Sequence, residues 1–476
     1  MRSEEMVCDR ATNRRLTFFG GAEQRLRIMQ PRPTAKINKR IALFPIIFFQ
    51  IYLAASVLAF AFGPWPWPVS NALQLYSFLI LAQVALFVGY RSAINKQPRP
   101  ASTRLRVPLM ITVSLVFNYL WLPEMYENRT AQAFSSGGAI RAVLIGLTNP
   151  GNQYREKLKY GHVMAMSMQS TVMDYVTLLI YPVLWIAFPL GVVFWEQLSV
   201  RIRVALVGFI ILDLSTWVAS GMNKGIADFV ILLPFMLVAR KPAMLINIRS
   251  RNVIAIGLIA IIGVAALFTF FSLRSLVPSG GPRSSQYADS MAGIAVDLDS
   301  PSMRVVPPGL QVPVANFVSY FSQGYYGLSL ALKEPFIFCY GVGHSYFLEG
   351  LSRHLFNPPI YANTYPARIQ TSGWDSYIKW DSIYPWIASD LSFPGAIVFM
   401  FVIGRLFALV WLDVVFCRNS WAVCLLPLLL IMLFYVPANN QVLAFPQSAM
   451  PFYVMLVLWS FSRARGHAKR RALLTS

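Results

Sequence analysis

The chain has 476 residues, of which 56% are hydrophobic and only 13% are charged. A soluble domain of this size could not bury so much apolar surface, so the composition excludes an ordinary soluble enzyme and indicates an integral membrane protein. The formal net charge of +21 would suggest nucleic-acid binding in a soluble chain. Here the basic residues punctuate the apolar runs, as they do in membrane proteins, so no nucleic-acid partner is predicted.

Ten apolar stretches approach the roughly 20 residues that a helix needs to cross a bilayer. They are residues 41–63, 70–90, 107–122, 168–195, 204–221, 225–239, 252–272, 392–416, 421–437 and 443–461. With both termini in the cytoplasm, the inner segments carry 27 Lys and Arg residues and the outer segments carry 13. This bias predicts an all-α polytopic membrane protein with about ten transmembrane helices and both termini cytoplasmic.

The predicted spans divide the chain into five regions. Residues 1–40 are polar and Arg-rich and lack the apolar core of a signal peptide, which predicts a disordered cytoplasmic tail. Helices one to seven occupy 41–272, helices eight to ten occupy 392–461, and 462–476 form a second cytoplasmic tail. The remaining region, 273–391, is the largest extracytoplasmic loop, and loops of this length are usually functional or disordered.

This long loop has three parts that differ in composition. Residues 275–308 are rich in Ser, Gly and Pro, which predicts a mobile segment. Apolar residues recur at steps of three and four over 313–332, although Gly324 and Gly327 weaken the helix that this spacing indicates. The helix is predicted to lie on the membrane surface, with packing beneath a cap as the alternative. Residues 340–390 are dense in aromatic and charged side chains and are predicted to form the cap.

Two charged residues lie in the middle of predicted spans, where ionisable groups are costly. Asp213 lies in the fifth span and Arg405 in the eighth. A structural ion pair between them would allow both to be tolerated. Exchange of the two charges is then expected to restore part of what reversal of Asp213 alone removes.

Basic side chains at the outer ends of two spans suggest a phosphate site. The run Gly221-Met-Asn-Lys224-Gly225 predicts a tight turn that carries one cation, and Arg274 leaves the seventh span at the same level. Each residue alone fits an interface anchor. Together they place positive charge where a lipid-linked phosphate would lie.

The cap sequence mixes aromatic and charged residues in the manner of carbohydrate sites, in which sugar rings stack on aromatic faces. The substrate-binding candidates there are Arg353, Arg368, Trp374, Lys379 and Tyr384. The alternative is that these aromatics form the core of the cap or an interface belt. No P-loop, GxSxG, HExxH or Cys/His cluster is present, so neither a metal nor a cofactor is predicted.

Several segments resemble a known family. The stretch Tyr384-Pro-Trp-Ile-Ala-Ser-Asp-Leu-Ser-Phe-Pro-Gly-Ala-Ile-Val-Phe, running into 403–411, resembles a late segment of O-antigen polymerase (Wzy-like) proteins, also called oligosaccharide repeat unit polymerases. Segments 320–329 and 340–345 are similar to parts of the same family's periplasmic loop. The turn at Lys224 resembles its glycine-flanked basic turn, where an Arg is more frequent. The likeness extends over roughly 220–460, and the Pro in the Ser-Phe-Pro-Gly turn departs from the family pattern.

The resemblance implies a GT-C-like architecture and a glycosyltransferase of the bacterial inner membrane that needs no metal. Such an enzyme joins oligosaccharide repeat units carried on polyprenyl pyrophosphate at the periplasmic face. The implied partners are these lipid-linked oligosaccharides and membrane lipids, with a chain-length regulator and a flippase as further candidates.

The same reaction gives roles to individual side chains. Negative charge grows on the leaving pyrophosphate, so fixed cations would stabilise the transition state. The cations expected in that role are Lys224, Arg274 and Arg368. The acceptor hydroxyl needs a base near neutral pH, and His344 fits by its intrinsic pKa, with Asp381 or Asp375 as the alternative.

Two other functions stay open at the level of the sequence. A lipid-linked oligosaccharide flippase would keep polar residues deep in several spans, often in repeated halves, and the sequence has no convincing internal repeat. An O-antigen ligase-like transferase would share the scaffold and the lipid donor and differ only in its acceptor.

Overall fold

The computed structural model describes residues 38–98, 106–130, 132–154, 157, 168–246, 251–275, 293–355, 360–376 and 379–475. Most of the predicted N-terminal tail and residues 276–292 of the predicted mobile segment lie outside these ranges. The α-helices, in chain order, are α1 (Lys39–Phe62), α2 (Ala72–Ala93), α3 (Val107–Thr130), α4 (Ser136–Thr148), α5 (Met168–Leu184), α6 (Ala187–Val193), α7 (Val200–Ala219), α8 (Lys224–Arg240), α9 (Arg251–Ser275), α10 (Pro301–Arg304), α11 (Pro308–Ser322), α12 (Gly324–Ala331), α13 (Tyr346–Leu355), α14 (Tyr365–Arg368), α15 (Ile383–Cys417), α16 (Ser420–Phe434) and α17 (Pro446–Thr475).

Seven segments of the described chain are long and apolar enough to cross a membrane. They are α1, α2, α3, residues Tyr175–Val193 of α5 and α6, α7, α9 and α15. Each coincides with a predicted span, and α8, α16 and α17 occupy the other three. Because α8 has 17 residues and α16 has 15, both are shorter than the roughly 20 residues of a full crossing. The prediction of a helical membrane protein is confirmed.

The third span is longer than predicted, and an additional helix follows it. α3 does not end near residue 122 but continues through Pro123 to Thr130. α4 then lies within the segment predicted as a plain outer loop, and Ser135 caps its first turn by accepting a hydrogen bond from the Gly138 amide. Gly146 of α4 approaches the backbone of Val218 in α7 so closely that a Cβ would collide with it.

The segment predicted as a surface helix forms α11 and α12, and α12 packs inside the protein. Tyr325 and Leu328 are 1% and 0% exposed. The hydroxyl groups of Tyr325 and of Ser56 in α1 lie 2.9 Å apart. α12 therefore follows the alternative of packing beneath the cap, a name used below for the described residues of 293–382.

The two glycines that weaken this helix permit a close backbone approach. A Cβ at Gly324 would collide with the Pro437 carbonyl, and a Cβ at Gly327 would collide with the carboxylate of Asp381. Larger residues at these positions would push α12 away from the start of α15. The helical cost of glycine is therefore offset by packing that no other residue allows.

α2 and α15 form the tightest helix pair of the bundle. A Cβ at Gly89 would collide with the Phe401 backbone, and one at Gly404 with the Leu86 carbonyl. Small residues at such crossings let helix backbones approach closely in a membrane. Above this crossing α15 kinks at Ser392, where φ is 63° and ψ is 169°, which is where the sequence places the start of the eighth span.

A buried non-helical segment follows α16. Residues 435–444 are all buried. Three side-chain amides lie within it, at Asn439, Asn440 and Gln441. Irregular backbone at membrane depth is tolerated only where protein or a cavity satisfies it. Here the Val436 carbonyl accepts from the Ile383 amide at 3.0 Å, which ties the segment to the start of α15.

Replacing Gly404 with Leu should disrupt the α2–α15 crossing. Overpacking of this kind costs about 1–3 kcal/mol or more, so Gly404→Leu is expected to lower the midpoint of thermal unfolding in detergent by several degrees. Val402→Leu is the matched control, because Val402 is 51% exposed on the same helix. Equal midpoints for the two variants would show that the crossing is not tight.

Candidate functional site

A cavity of about 200 Å³ lies among α3, α5, α6, α7 and α8, beside the start of α17. Its walls are mostly aromatic and aliphatic, and its polar side chains include two cations and two carboxylates. The lining residues used below are Arg129, Asp213, Trp217, Lys224, Asp228, Gln447 and Ser448. A cavity with apolar walls and a few converging charges is the usual form of a binding site.

The first ion pair of the cavity joins α3 to α7. Arg129 Nη1 lies 2.7 Å from Asp213 Oδ1, and the same guanidinium donates to the Thr216 hydroxyl. Its Cζ lies 4.1 Å from the centre of the Trp217 ring, which adds a cation–π contact. Arg129 is thus fixed on three sides at membrane depth.

The predicted pair of Asp213 with Arg405 is wrong. Arg405 instead donates to the Ser92 hydroxyl at 3.2 Å, on the α2 side of α15. The sequence missed Arg129 because the third span was predicted to end near residue 122. The helix continues for two further turns and brings Arg129 alongside α7.

The second ion pair lies at the turn between α7 and α8, where the sequence predicts a tight glycine turn. Gly221 has a φ of 65°, and Gly225 packs against the Trp217 indole so closely that a Cβ would collide with it. Lys224 Nζ lies 2.7 Å from Asp228 Oδ2, one helical turn later. The turn is confirmed, and Lys224 points into the cavity.

The other predicted cations do not join this cavity. Arg368 donates to the Pro335 carbonyl at 2.7 Å and contacts Glu334 at 3.3 Å, so its hydrogen bonds brace the cap. Arg274 lies at the end of α9 and Arg353 within α13. The side chains of these two residues lie outside the described part of the structure.

A second polar centre surrounds His344. Asp390 accepts hydrogen bonds from the backbone amides of Gly341 at 2.9 Å, Gly343 at 3.1 Å and His344 at 3.0 Å. Gly341 has a φ of 79°, a left-handed turn that lets these amides converge. Asp390 Oδ2 also lies 2.8 Å from His344 Nδ1.

These contacts fix the tautomer of the imidazole. A carboxylate at Nδ1 holds a proton there, which leaves the Nε2 lone pair as an acceptor. The Tyr453 hydroxyl lies 3.0 Å from Nε2, and Asn440 Nδ2 donates to the His344 carbonyl at 2.7 Å. A histidine oriented by a carboxylate is the arrangement expected of a general base.

The aromatic cluster predicted to bind sugar is largely packing. Trp374 is 0% exposed, and its Nε1 donates to Asp381 Oδ1 at 3.0 Å. Tyr384 is 2% exposed and packs edge-on against the Phe78 ring. Neither residue presents a face to a sugar, so that part of the prediction is wrong and the core alternative holds for both.

The two acidic alternatives to His344 differ in environment. Asp381 is fully buried, and burial raises the pKa of its carboxyl from 3.8 to about 7, while contacts with Ser376 and Trp374 oppose this rise. Its Oδ2 has no hydrogen-bond partner among the described residues. Asp375 is half-buried, and its carbonyl accepts from the Lys379 amide at 2.8 Å. Asp381 cannot reach a substrate in this conformation.

The residues that sequence reasoning missed are Arg129, the orienting role of Asp390, Asn440 and Tyr453. The run Asn439-Asn440-Gln441 between two apolar stretches was a usable signal, because amides at membrane depth need partners. Within the described ranges, no three His, Cys, Asp or Glu side chains are grouped to hold a metal ion.

Comparison with protein-family models, with curated proteins and with solved structures finds no match. The likeness to oligosaccharide polymerases therefore rests on the sequence segments given above, and the cavity and the His344 centre stand on geometry alone.

The partner of Asp213 can be tested by charge exchange. Asp213→Arg should leave like charges together and reduce the yield of folded protein, since breaking such a pair at membrane depth is costly. Adding Arg129→Asp is expected to restore part of that yield in fluorescence-detected size-exclusion chromatography. Adding Arg405→Asp instead should restore none, and rescue by that change would contradict the observed pairing.

The buried Asp381 should make stability depend on pH. Its folded pKa lies above its unfolded value, so the folded state binds the extra proton and loses stability as pH rises from about 4 to 7. The interval corresponds to at most about 4 kcal/mol. Asp381→Asn is expected to gain thermal stability relative to wild type at pH 8 and much less at pH 5. The exposed Asp299→Asn is the control, and a pH-independent difference for Asp381→Asn would refute the interpretation.

Proposed function

We propose that the chain is a glycosyltransferase that polymerises oligosaccharide repeat units carried on polyprenyl pyrophosphate, at the periplasmic face of the bacterial inner membrane. The observation that carries this proposal is the His344–Asp390 pair, a carboxylate-oriented imidazole at the boundary between the cap and the helical bundle. The nearby cavity adds cations and apolar walls, and the resemblance of 320–345 and 384–411 to polymerases supplies the reaction.

In the proposed reaction, an acceptor sugar hydroxyl attacks the anomeric carbon of a second, lipid-linked unit. His344 Nε2 takes the hydroxyl proton as the new carbon–oxygen bond forms. The bond between the anomeric carbon and the pyrophosphate oxygen breaks, and the polyprenyl pyrophosphate leaves with the electron pair. Asp390 stabilises the imidazolium that results, as carboxylates do in other oriented histidine bases.

Lys224 and Arg129 are the cations assigned to the pyrophosphate. They lie on different helices and both contact Trp217, Arg129 through the ring face and the Lys224 turn through Gly225. Charge-assisted contacts in an apolar cavity stabilise a developing phosphate charge far more than contacts in water do. Asp228 and Asp213 hold the two cations in position while the site has no substrate.

A second candidate function is transport of a lipid-linked glycan. It is favoured by the same two ion pairs, because paired ionisable groups within a membrane are typical of transporters. In that case the pairs would exchange partners as the substrate moves, and His344 would have no catalytic role.

Deletion of the gene, with the surface glycan resolved by length, separates these functions. Single-repeat products with loss of long chains are expected for a polymerase. Loss of all attached glycan would instead indicate a ligase-like transferase. Lipid-linked units that accumulate facing the cytoplasm would indicate a flippase and overturn the polymerase proposal.

Complementation with variants tests the residues. A general base contributes about 10²–10⁴-fold to a rate, so His344→Ala is expected to yield only single-repeat glycan at normal expression. Lys224→Ala should shorten the chains because it removes a pyrophosphate contact. Lys241→Ala is the matched control, since this lysine lies beyond the opposite end of α8 and its side chain is 54% exposed. Full-length glycan with both site variants would remove them from the reaction.

A further inference from the structure

His344 bridges two helices that also meet at their other ends. Its imidazole links Asp390 of α15 to Tyr453 of α17. Toward the far ends of the same helices, Asp413 of α15 accepts from Trp459 Nε1 at 3.0 Å and Arg463 Nη1 at 2.8 Å. The two helices are thus tied by polar contacts at two levels.

Between these ties, each helix presents an exposed apolar stripe. On α17 it consists of Tyr453, Val457 and Phe461, which are 40%, 52% and 62% exposed and lie four residues apart. On α15 it consists of Leu391, Val398 and Val402, which are 50%, 61% and 51% exposed. Both stripes begin beside His344, because Leu391 follows Asp390 and Tyr453 contacts the imidazole. In a membrane protein such stripes face the hydrocarbon. The surface between them is named the seam.

An aromatic rim borders the outer end of the seam. Phe336, Phe338 and Tyr340 are 45%, 49% and 72% exposed, and the rings of Phe338 and Tyr340 lie 5.0 Å apart. The Cys339 amide donates to the Ser389 carbonyl, which holds this rim against α15. Aromatic residues in such positions are typical of the boundary between hydrocarbon and headgroups.

The cavity is too small for a whole lipid-linked substrate. Its volume of about 200 Å³ lies below the roughly 300–1,000 Å³ of sites for drug-sized ligands. A pyrophosphate fits it, and a long isoprenoid chain does not. Ser448 lines the cavity, and Tyr453 lies five residues further along α17, about 7.5 Å of helix. The seam is therefore the apolar surface next to the cavity that a chain can follow into the bilayer.

Tyr453 is the movable part of this arrangement. The backbone of His344 is held by Asp390 at its amide and by Asn440 at its carbonyl. The Tyr453 ring is 40% exposed, and its hydroxyl covers Nε2 of the imidazole. Rotation of the tyrosine toward the lipid would uncover the nitrogen while the histidine stays in place.

We propose that the seam binds the polyisoprenoid chain of the lipid-linked donor, and that Tyr453 covers His344 until this lipid displaces it. The proposal rests on the proposed function for the identity of the lipid. It adds the path by which the lipid reaches the site, from the bilayer along α15 and α17.

Photo-crosslinking in lipid nanodiscs tests the seam. The full chain carries p-benzoylphenylalanine in place of Val457, and undecaprenyl pyrophosphate is included as a minor component of the phospholipid. The matched control is the same replacement of Val264. This residue is 49% exposed on α9 and lies eleven residues before the end of that helix, as Val457 lies eleven residues after the start of α17.

The expected result is that mass spectrometry finds polyprenyl adducts about tenfold more often at Val457 than at Val264, a preference of about 1.4 kcal/mol. Phe461 is the second position should the Val457 variant not fold. Equal adduct fractions at the stripe and at the control overturn the seam and leave the chain-length test of the polymerase untouched. Enrichment at the stripe in a protein whose deletion leaves long glycan intact would support the seam and sink the polymerase.

Discussion

The carboxylate of Asp390 is the group on which the candidate site depends. It is 7% exposed at the boundary between the cap and the bundle, where an unpaired carboxylate would be costly. Three backbone amides and one imidazole nitrogen satisfy it, and all four come from the short segment 341–344. One residue of α15 thereby holds the segment in place, orients the ring of His344 and sets its tautomer. The same requirement that the charge be satisfied produces the geometry of the base.

A similar requirement governs the buried segment after α16. Because that helix ends after 15 residues, the chain must pass through the apolar interior without helical hydrogen bonds, and each polar group there needs a partner. Asn440 finds one in the His344 carbonyl, and the Gln441 carbonyl accepts from the Ser448 hydroxyl at 2.8 Å. Ser448 also lines the cavity. The segment therefore connects the two polar centres, and a change in one can reach the other through it.

Much of the fold follows from the sequence, because the patterns that define it are local. Hydropathy located the spans, and the glycine pair around Lys224 located the turn. Contacts between distant segments were less accessible. Hydropathy falls after residue 122, so Arg129 was assigned to a loop, although the helix carries it to Asp213. Aromatic density at 374–384 fits both a sugar site and a core. Only the collision that a side chain at Gly327 would cause distinguishes them, and that contact joins positions more than 50 residues apart.

The electrostatics of the cavity bear on the choice between transfer and transport. Arg129 and Lys224 are each neutralised by a carboxylate, so the cavity holds no net charge from these four groups. Trp217 stands between them and separates the two cations, with its face toward Arg129 and its edge toward Gly225. A monoanion gains little by replacing one carboxylate of equal charge. A pyrophosphate carries charge on two phosphoryl groups and can meet both cations at once, so it competes with both carboxylates for a single cost of ordering. An arrangement of this kind selects for bidentate anions, and it places the leaving group of the proposed transfer beside the helix that carries Tyr453.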